Sequence, residues 1–81
     1  MDLKRGQVVF SNAGRDQGNF AVVLEYDGVY AQICDGTRRT LENPKRKKQI
    51  HLSKTLSFLS EEEMQNDRAI KKALRRFYEH E

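Results

Sequence analysis

Two glycines flank an arginine in a short segment that leads into an apolar run. In NAGRDQGNFAVV, residues 12–23, Gly14 and Gly18 stand four positions apart with Arg15 between them. Glycine lets the backbone turn with little side-chain bulk, so that N–H groups can face a phosphate, and arginine adds a planar fork that suits phosphate geometry. The alternative is a plain surface turn in which Arg15 pairs with Asp16 or with solvent.

A run of four cations follows the chain's single proline, at position 44. Its members are Lys45, Arg46, Lys47 and Lys48. Arg38 and Arg39 precede it, and a hairpin-like return would set both groups on one side. Phosphate contacts of such residues supply affinity and salt dependence but little sequence specificity. The alternative is a solvated charge run, or a row of gatekeepers that blocks an edge strand.

The basic charge is concentrated in this part of the chain. Residues 37–54 carry seven basic and one acidic side chains, whereas the whole chain of 81 residues has a net charge of +3. A local field of this kind attracts polyanions even when the protein is only mildly basic.

Aromatic side chains in the strand-like runs offer surfaces on which bases can stack. They are Phe10, Phe20, Tyr26 and Tyr30. Aromatic residues of short strands more often belong to a core. Tyr30 is the strongest choice for stacking, because Val29, Ala31 and Ile33 can fill one face of its strand while Tyr30 alternates to the other.

The reactive residue types are too scattered to indicate an enzyme or a catalytic residue. Cys34 is the single cysteine, it lies in a strand-like run, and no flanking pattern links it to His51. One cysteine and two distant histidines are not a metal-ligand set, and no phosphate-binding P-loop or dinucleotide-binding glycine pattern is present. We therefore expect no metal, no cofactor and no small-molecule substrate.

The chain lacks the apolar stretches that direct proteins to membranes. The segment MDLKRGQVV does not have the apolar core of a secretory signal, and no apolar run reaches the length of a membrane span. With a lone cysteine, these features favour a reducing, cytoplasmic location without a membrane partner.

The elements that must position these residues are short strands. Runs rich in β-branched and aromatic residues, separated by glycine turns, predict strands over residues 6–11, 19–26, 29–34, 37–42 and 47–52. Asp27-Gly28 and Asp35-Gly36 predict two-residue hairpin turns, which need positive φ at both positions. Asn43 before Pro44 predicts a loop. Five short antiparallel strands favour a small closed or nearly closed barrel.

A helix is predicted over residues 60–79. Ser60 and Glu63 fit a capping box. An apolar stripe at helical spacing lies in the second half, at Ile70, Ala73, Leu74 and Phe77. The opposite face collects Arg68, Lys72, Arg75 and Arg76, which suits either an RNA clamp or complementarity to the helix dipole. Residues 1–54 are thus predicted to form a barrel domain, and residues 55–81 a connector and an amphipathic helix docked on it by its second half.

The first half of the chain resembles a KOW domain. That family's motif runs from a loop of the form Gly-basic-x-x-Gly into a strand of alternating valines, and Gly14, Arg15 and Gly18 followed by Ala21-Val22-Val23 occupy those places. Gly18 is the hallmark glycine, and Ala21 replaces a third glycine that is frequent in the family. The resemblance covers residues 5–52 and extends through DGTRR and PKRKKQIHL. It looks like the arrangement in bacterial KOW-domain RNA-binding proteins akin to the KOW-carrying large-subunit ribosomal proteins of archaea and eukaryotes.

The resemblance implies a small five-stranded SH3-like barrel, mainly β with a C-terminal helix outside the motif, and no catalytic activity. We expect an RNA-binding module of the translation apparatus that grips the backbone of structured RNA, in the first instance ribosomal RNA. The expected RNA-binding residues are Arg15, Tyr30, Arg38, Arg39, Lys45, Arg46, Lys47 and Lys48, and the loop-shaping residues are Gly14, Gly18, Gly28 and Gly36. Some KOW domains bind proteins, so the alternative is a barrel that docks on a ribosomal protein, a polymerase or a translation factor.

Overall fold

The chain folds into one five-stranded antiparallel sheet and a C-terminal helix. The computed structural model describes residues 2–79. The strands are β1 (Gln7–Ser11), β2 (Phe20–Tyr26), β3 (Tyr30–Cys34), β4 (Lys45–Lys48) and β5 (Leu52–Phe58), and helix α1 spans Asp67–Tyr78. Short 3-10 helices lie at Gln49–His51 and Glu62–Met64. The strand order is β4-β3-β2-β1-β5, so β4 and β5 form the edges. The predicted mainly β architecture with a C-terminal helix is confirmed.

The second half of the sheet differs from the sequence prediction. Residues 37–42 form no strand, because the carboxylate of Asp35 accepts hydrogen bonds from the N–H groups of Thr37 and Arg39 and curls the chain into a loop. The predicted strand over 47–52 is split by the 3-10 helix Gln49–His51. Strand β5 instead takes up most of the predicted connector and crosses the expected boundary between residues 54 and 55. It was missed because its sequence, LSKTLSF, is largely polar and exposed.

The predicted helix is two separate pieces. The capping box is present, since Ser60 and Glu63 each donate a backbone N–H to the other's side chain, but it caps the 3-10 helix Glu62–Met64. Helix α1 begins after Asn66, whose side chain accepts the N–H of Ala69 as an N-cap. Met64, the last residue of the 3-10 helix, is buried, so the first piece packs on the sheet domain as well. The expectation that only the second half packs was therefore wrong.

Apolar side chains are buried on both faces of the sheet. On one face, Val22 and Cys34 pack with Ile70 and Leu74 of α1. The other face holds a second cluster, whose members include Val9, Val23, Ile33 and Leu52. Burial raises the pKa of the Cys34 thiol to about 11, so this group is almost wholly protonated at neutral pH.

The turn between β2 and β3 is closed by a side chain. Gly28 has a φ of +101°, but Asp27 does not have positive φ, so the predicted turn with two such residues is wrong. The carboxylate of Asp27 accepts the N–H groups of Val29 and Tyr30 at 2.9 and 2.7 Å. The same bonds lower the pKa of Asp27. This turn fixes Tyr30 at the start of β3.

Candidate nucleic-acid interface

One face of strands β3 and β4 carries a tyrosine and two cations. The register places Tyr30 opposite Lys48 and Gln32 opposite Arg46, so these four side chains, which we call the β3–β4 surface, project from the same face. The guanidinium carbon of Arg46 lies 3.6 Å from the centre of the Tyr30 ring, and Lys48 Nζ lies 5.9 Å from it. A guanidinium plane stacked on an aromatic ring is a flat, positive surface of the kind on which bases stack.

The four consecutive cations do not act as one group. Because side chains alternate along a strand, Lys47 points to the face opposite Arg46 and Lys48. Lys47 is only 8% exposed, and its Nζ donates to the carbonyl oxygen of Ala13 at 2.7 Å. Burial lowers the pKa of Lys47, opposed by the charge of Asp16. Lys47 therefore supports the glycine loop, and the structure does not bring it to the expected RNA-binding surface.

The glycine loop presents its arginine to solvent. Arg15 is exposed, and within residues 2–79 it makes no ion pair with Asp16, which is buried and bonded to Arg39 instead. Gly14 and Gly18 both have positive φ, as a loop-shaping role requires. The N–H of Gly18 donates to the carbonyl oxygen of Ser11. It is therefore used to close the turn, and Arg15 is the part of this loop that is free to contact a phosphate.

A buried charge cluster joins the glycine loop to the following elements. Asp16 Oδ2 lies 3.2 Å from Arg39 Nη2, and the Asp16 side chain is 6% exposed against 24% for Arg39. Asp16 Oδ1 and Arg39 Nε are buried without a hydrogen-bond partner. Arg39 is thus tied to the interior, and it does not lie with Arg38 and the β4 cations on one side as the sequence suggested.

No protein-family model matches the chain, and no curated protein is significantly similar to it. The resemblance to KOW domains therefore depends on the motif residues themselves, and a functional assignment depends on the geometry of the site. Within residues 2–79, no helix combines the length and apolarity needed to span a membrane.

A second basic surface was not predicted as a unit. Gly36 backs against the first turn of α1, and the N–H of Leu41 donates to the Asp67 carboxylate at 2.8 Å. These contacts wrap the loop of residues 35–41 around the helix and bring Arg38 beside Lys71 and Arg75. The resulting concave surface, which we call the helix groove, is lined by Asn19, Asp35, Thr37, Arg38, Lys71, Leu74, Arg75 and Tyr78. The basic face of the helix is visible in the sequence, but no sequence signal joins Arg38 to it, because the groove arises from long-range packing of the loop on the helix.

Proposed function

We propose that this chain is an RNA-binding module of the KOW type that grips structured RNA by its backbone, with ribosomal RNA as the expected target. The observation that carries the proposal is the stack of the exposed Arg46 on the half-buried ring of Tyr30, with the exposed Lys48 beside it. Stacking of bases on an arginine plane or an aromatic ring, with cations nearby, is a general mode of RNA recognition that tolerates many sequences. Arg15 and Lys45, both exposed, add cations at the glycine-loop end of the sheet.

An SH3-like barrel is the fold that we propose for this sheet. The pairing of β1 with β5 and of β2 with β3 is interrupted by register shifts, and bulges of this kind bend and twist strands. Leu52 of the edge strand β5 and Ile33 of β3 belong to one apolar cluster. In a flat sheet, strands with two others between them would lie about 14 Å apart. A shared cluster supports a sheet curled around it.

Binding of this kind reads shape and charge. The major groove of A-form RNA is too deep and narrow for side chains, so cations on a curved sheet meet phosphates and unstacked bases. Each neutralised phosphate releases counterions, and affinity falls with rising salt. Strong salt dependence with weak sequence preference is the expected signature.

Replacing Arg46 and Lys48 together by glutamine is expected to weaken binding to a fluorescein-labelled RNA hairpin about tenfold, which corresponds to about 1.4 kcal/mol. The physical reason is the loss of two phosphate contacts. The slope of the logarithm of the binding constant against the logarithm of the salt concentration, here called the salt slope, should therefore also fall in magnitude by about 2. Fluorescence anisotropy titrations over a series of salt concentrations measure both quantities.

The matched control removes two exposed cations elsewhere, by Lys4→Gln with Lys54→Gln. It has the same net charge as the test variant and should bind almost as the unaltered protein does. Equal losses in both double variants would mean that binding depends on total charge alone, and the β3–β4 surface would no longer explain it.

A protein-docking function is favoured by a different observation. The edge strand β5 exposes Leu56 at 93% and Phe58 at 48%, and an exposed edge with apolar side chains can receive a strand from a partner.

Sedimentation of cell extract through a sucrose gradient separates the two functions. For RNA binding, we expect the protein to migrate with the large ribosomal subunit at low salt, to leave it at high salt, and to be displaced by the Arg46→Gln, Lys48→Gln change but not by Leu56→Ser with Phe58→Ser. The reverse pattern would support protein docking.

A further inference from the structure

The helix groove gathers cations from two elements that are far apart in sequence. Arg38 comes from the loop after β3, and Lys71 and Arg75 come from successive turns of α1. The groove has a volume of about 330 Å³, and its apolar floor includes Leu74, which is 3% exposed. Lys71 and Arg75 also line a neighbouring hollow with Arg68 and Lys72, so the two basic surfaces are continuous.

The cations of this surface have no carboxylate partners in the part of the chain that the structure describes. The ion pairs found within residues 2–79 involve Arg5, Arg39 and Arg76. Arg76 lies on α1 as well, but it is bound to Glu63 at 3.1 Å. The single acid of the groove, Asp35, accepts hydrogen bonds through Oδ1 from Thr37 and Arg39. A positive surface therefore remains for an external anion.

The arrangement fits a chain of anions better than a single one. Positions 68, 71 or 72, and 75 on α1 supply one cation in each turn, about 5.4 Å apart along the axis. Tyr78 stands at the end of this row, 53% exposed, and its hydroxyl accepts the N–H of Phe20 at 2.8 Å, which fixes the orientation of the ring. A row of cations that ends in a rigid exposed ring offers contacts for successive phosphates and for one base.

The groove and the β3–β4 surface belong to the same side of the sheet. Tyr30, Gln32 and Cys34 alternate along one face of β3, and Cys34 packs in the cluster beneath α1. Tyr30 and Cys34 are four residues apart, a separation of about 13 Å along a strand. One folded RNA can therefore meet both surfaces without passing around the sheet.

We propose that the helix groove is a second contact for the same RNA, in which Arg38, Lys71 and Arg75 bind consecutive phosphates of one strand and Tyr78 receives a base. This inference depends on the RNA-binding function proposed above. It extends the interface beyond the KOW-like residues 5–52 to the helix.

The test combines Arg38→Gln, Lys71→Gln and Arg75→Gln in the full chain. Binding to the labelled RNA hairpin should weaken at least tenfold, and the salt slope should fall by about 3. The matched control is the triple change Lys4→Gln, Arg5→Gln and Lys54→Gln, which removes the same charge from exposed positions outside both proposed surfaces and should change affinity less than threefold. Thermal unfolding of all variants checks that the fold is kept.

Different results overturn different claims. If the unaltered protein does not bind the hairpin, both the proposed function and the groove contact fail. If Arg46→Gln with Lys48→Gln weakens binding but the groove variant equals its control, only the groove contact fails.

Ultraviolet crosslinking of a 4-thiouridine-labelled hairpin should join RNA to the peptide that contains Tyr78. Competition by polyglutamate as effective as that by unlabelled hairpin would assign the groove to an acidic protein and overturn its role in RNA binding.

Discussion

Replacing Gly36 by alanine is expected to destabilise the protein by about 3 kcal/mol, the sum of a strained backbone and a steric overlap. Gly36 has a φ of +84°, in the region that side chains disfavour. A Cβ there would overlap the carbonyl oxygen of Asp67 and lie 3.0 Å from the backbone nitrogen of Lys71. Backbone atoms of a helix cannot move aside singly, so the loop must leave α1. The melting temperature should fall by about 15 °C, which differential scanning calorimetry measures.

Gly18→Ala is the matched control for this change. Gly18 has a similar φ of +90°, but no atom lies within 4 Å of the position that its Cβ would take. Only the backbone strain remains, so the expected cost is about 1 kcal/mol. If both alanine variants lose the same free energy of unfolding, the close contact between the loop of residues 35–41 and the helix does not contribute to the loss. The Gly36 variant should also lose the groove contribution to RNA binding, since Arg38 would no longer lie beside Lys71.

Gly36 shows how much of the fold the sequence alone can predict. It was predicted to shape a loop, and it does, but the hairpin expected after it is absent. The local rule for an Asp-Gly pair predicts the position of the turn from β2 to β3 correctly, although not its φ angles, because that turn is closed by atoms within four residues of each other. At Asp35-Gly36 the Asp35 carboxylate closes a local loop with Thr37 and Arg39, and that loop also packs against Asp67 and Lys71, a long-range contact that no local pattern reveals.

The missed strand β5 has a related explanation. Sequence periodicity detects a strand through alternating burial, and β5 buries mainly its first residue, Leu52. The strand is held by backbone pairing with β1 and by Thr55, whose hydroxyl donates to the carbonyl oxygen of Val8 at 2.7 Å. Backbone pairing leaves little trace in side-chain composition. Strand β4 is likewise held by backbone pairing, with β3, and its four residues are all cations, so its composition does not indicate a strand either.

The candidate site was predicted in its residue types but not in its grouping. Counting cations along residues 37–48 treats neighbours as equivalent, whereas strand alternation and loop packing send them to different places. Arg46 and Lys48 join Tyr30, Lys47 enters the interior, and Arg38 turns to the helix. Alternation predicts Tyr30 on the face opposite Val29, Ala31 and Ile33. The structure places Tyr30 opposite the buried Ala31 and Ile33 as predicted, whereas Val29 precedes the strand and is 53% exposed.

Replacing Asp16 by alanine is expected to cost about 2 kcal/mol at neutral pH. Removing one partner of a buried ion pair leaves the other charge uncompensated, and such changes cost about 3–5 kcal/mol when both groups are fully buried. Here Arg39 keeps partial contact with water, so the loss should be smaller. Urea denaturation measures it. Glu42→Ala removes the same charge from an exposed position and should change the free energy of unfolding by less than about 0.5 kcal/mol.

The pH dependence of this loss identifies the groups that Asp16 stabilises. The charge of Asp16 raises the pKa of Lys47 against the effect of burial, so in the Asp16→Ala variant the pKa of Lys47 falls further below its ordinary value of 10.5. Between the folded and the unfolded pKa, the unfolded chain binds more protons than the native state, and stability rises with pH. The difference in free energy of unfolding between the Asp16→Ala variant and the unaltered protein should therefore become smaller as the pH rises from neutral toward 10.5. It should not close, because Arg39 stays charged. A gap that is constant over this range would mean that Asp16 acts through Arg39 alone, and that Lys47 holds the glycine loop only by its bond to Ala13.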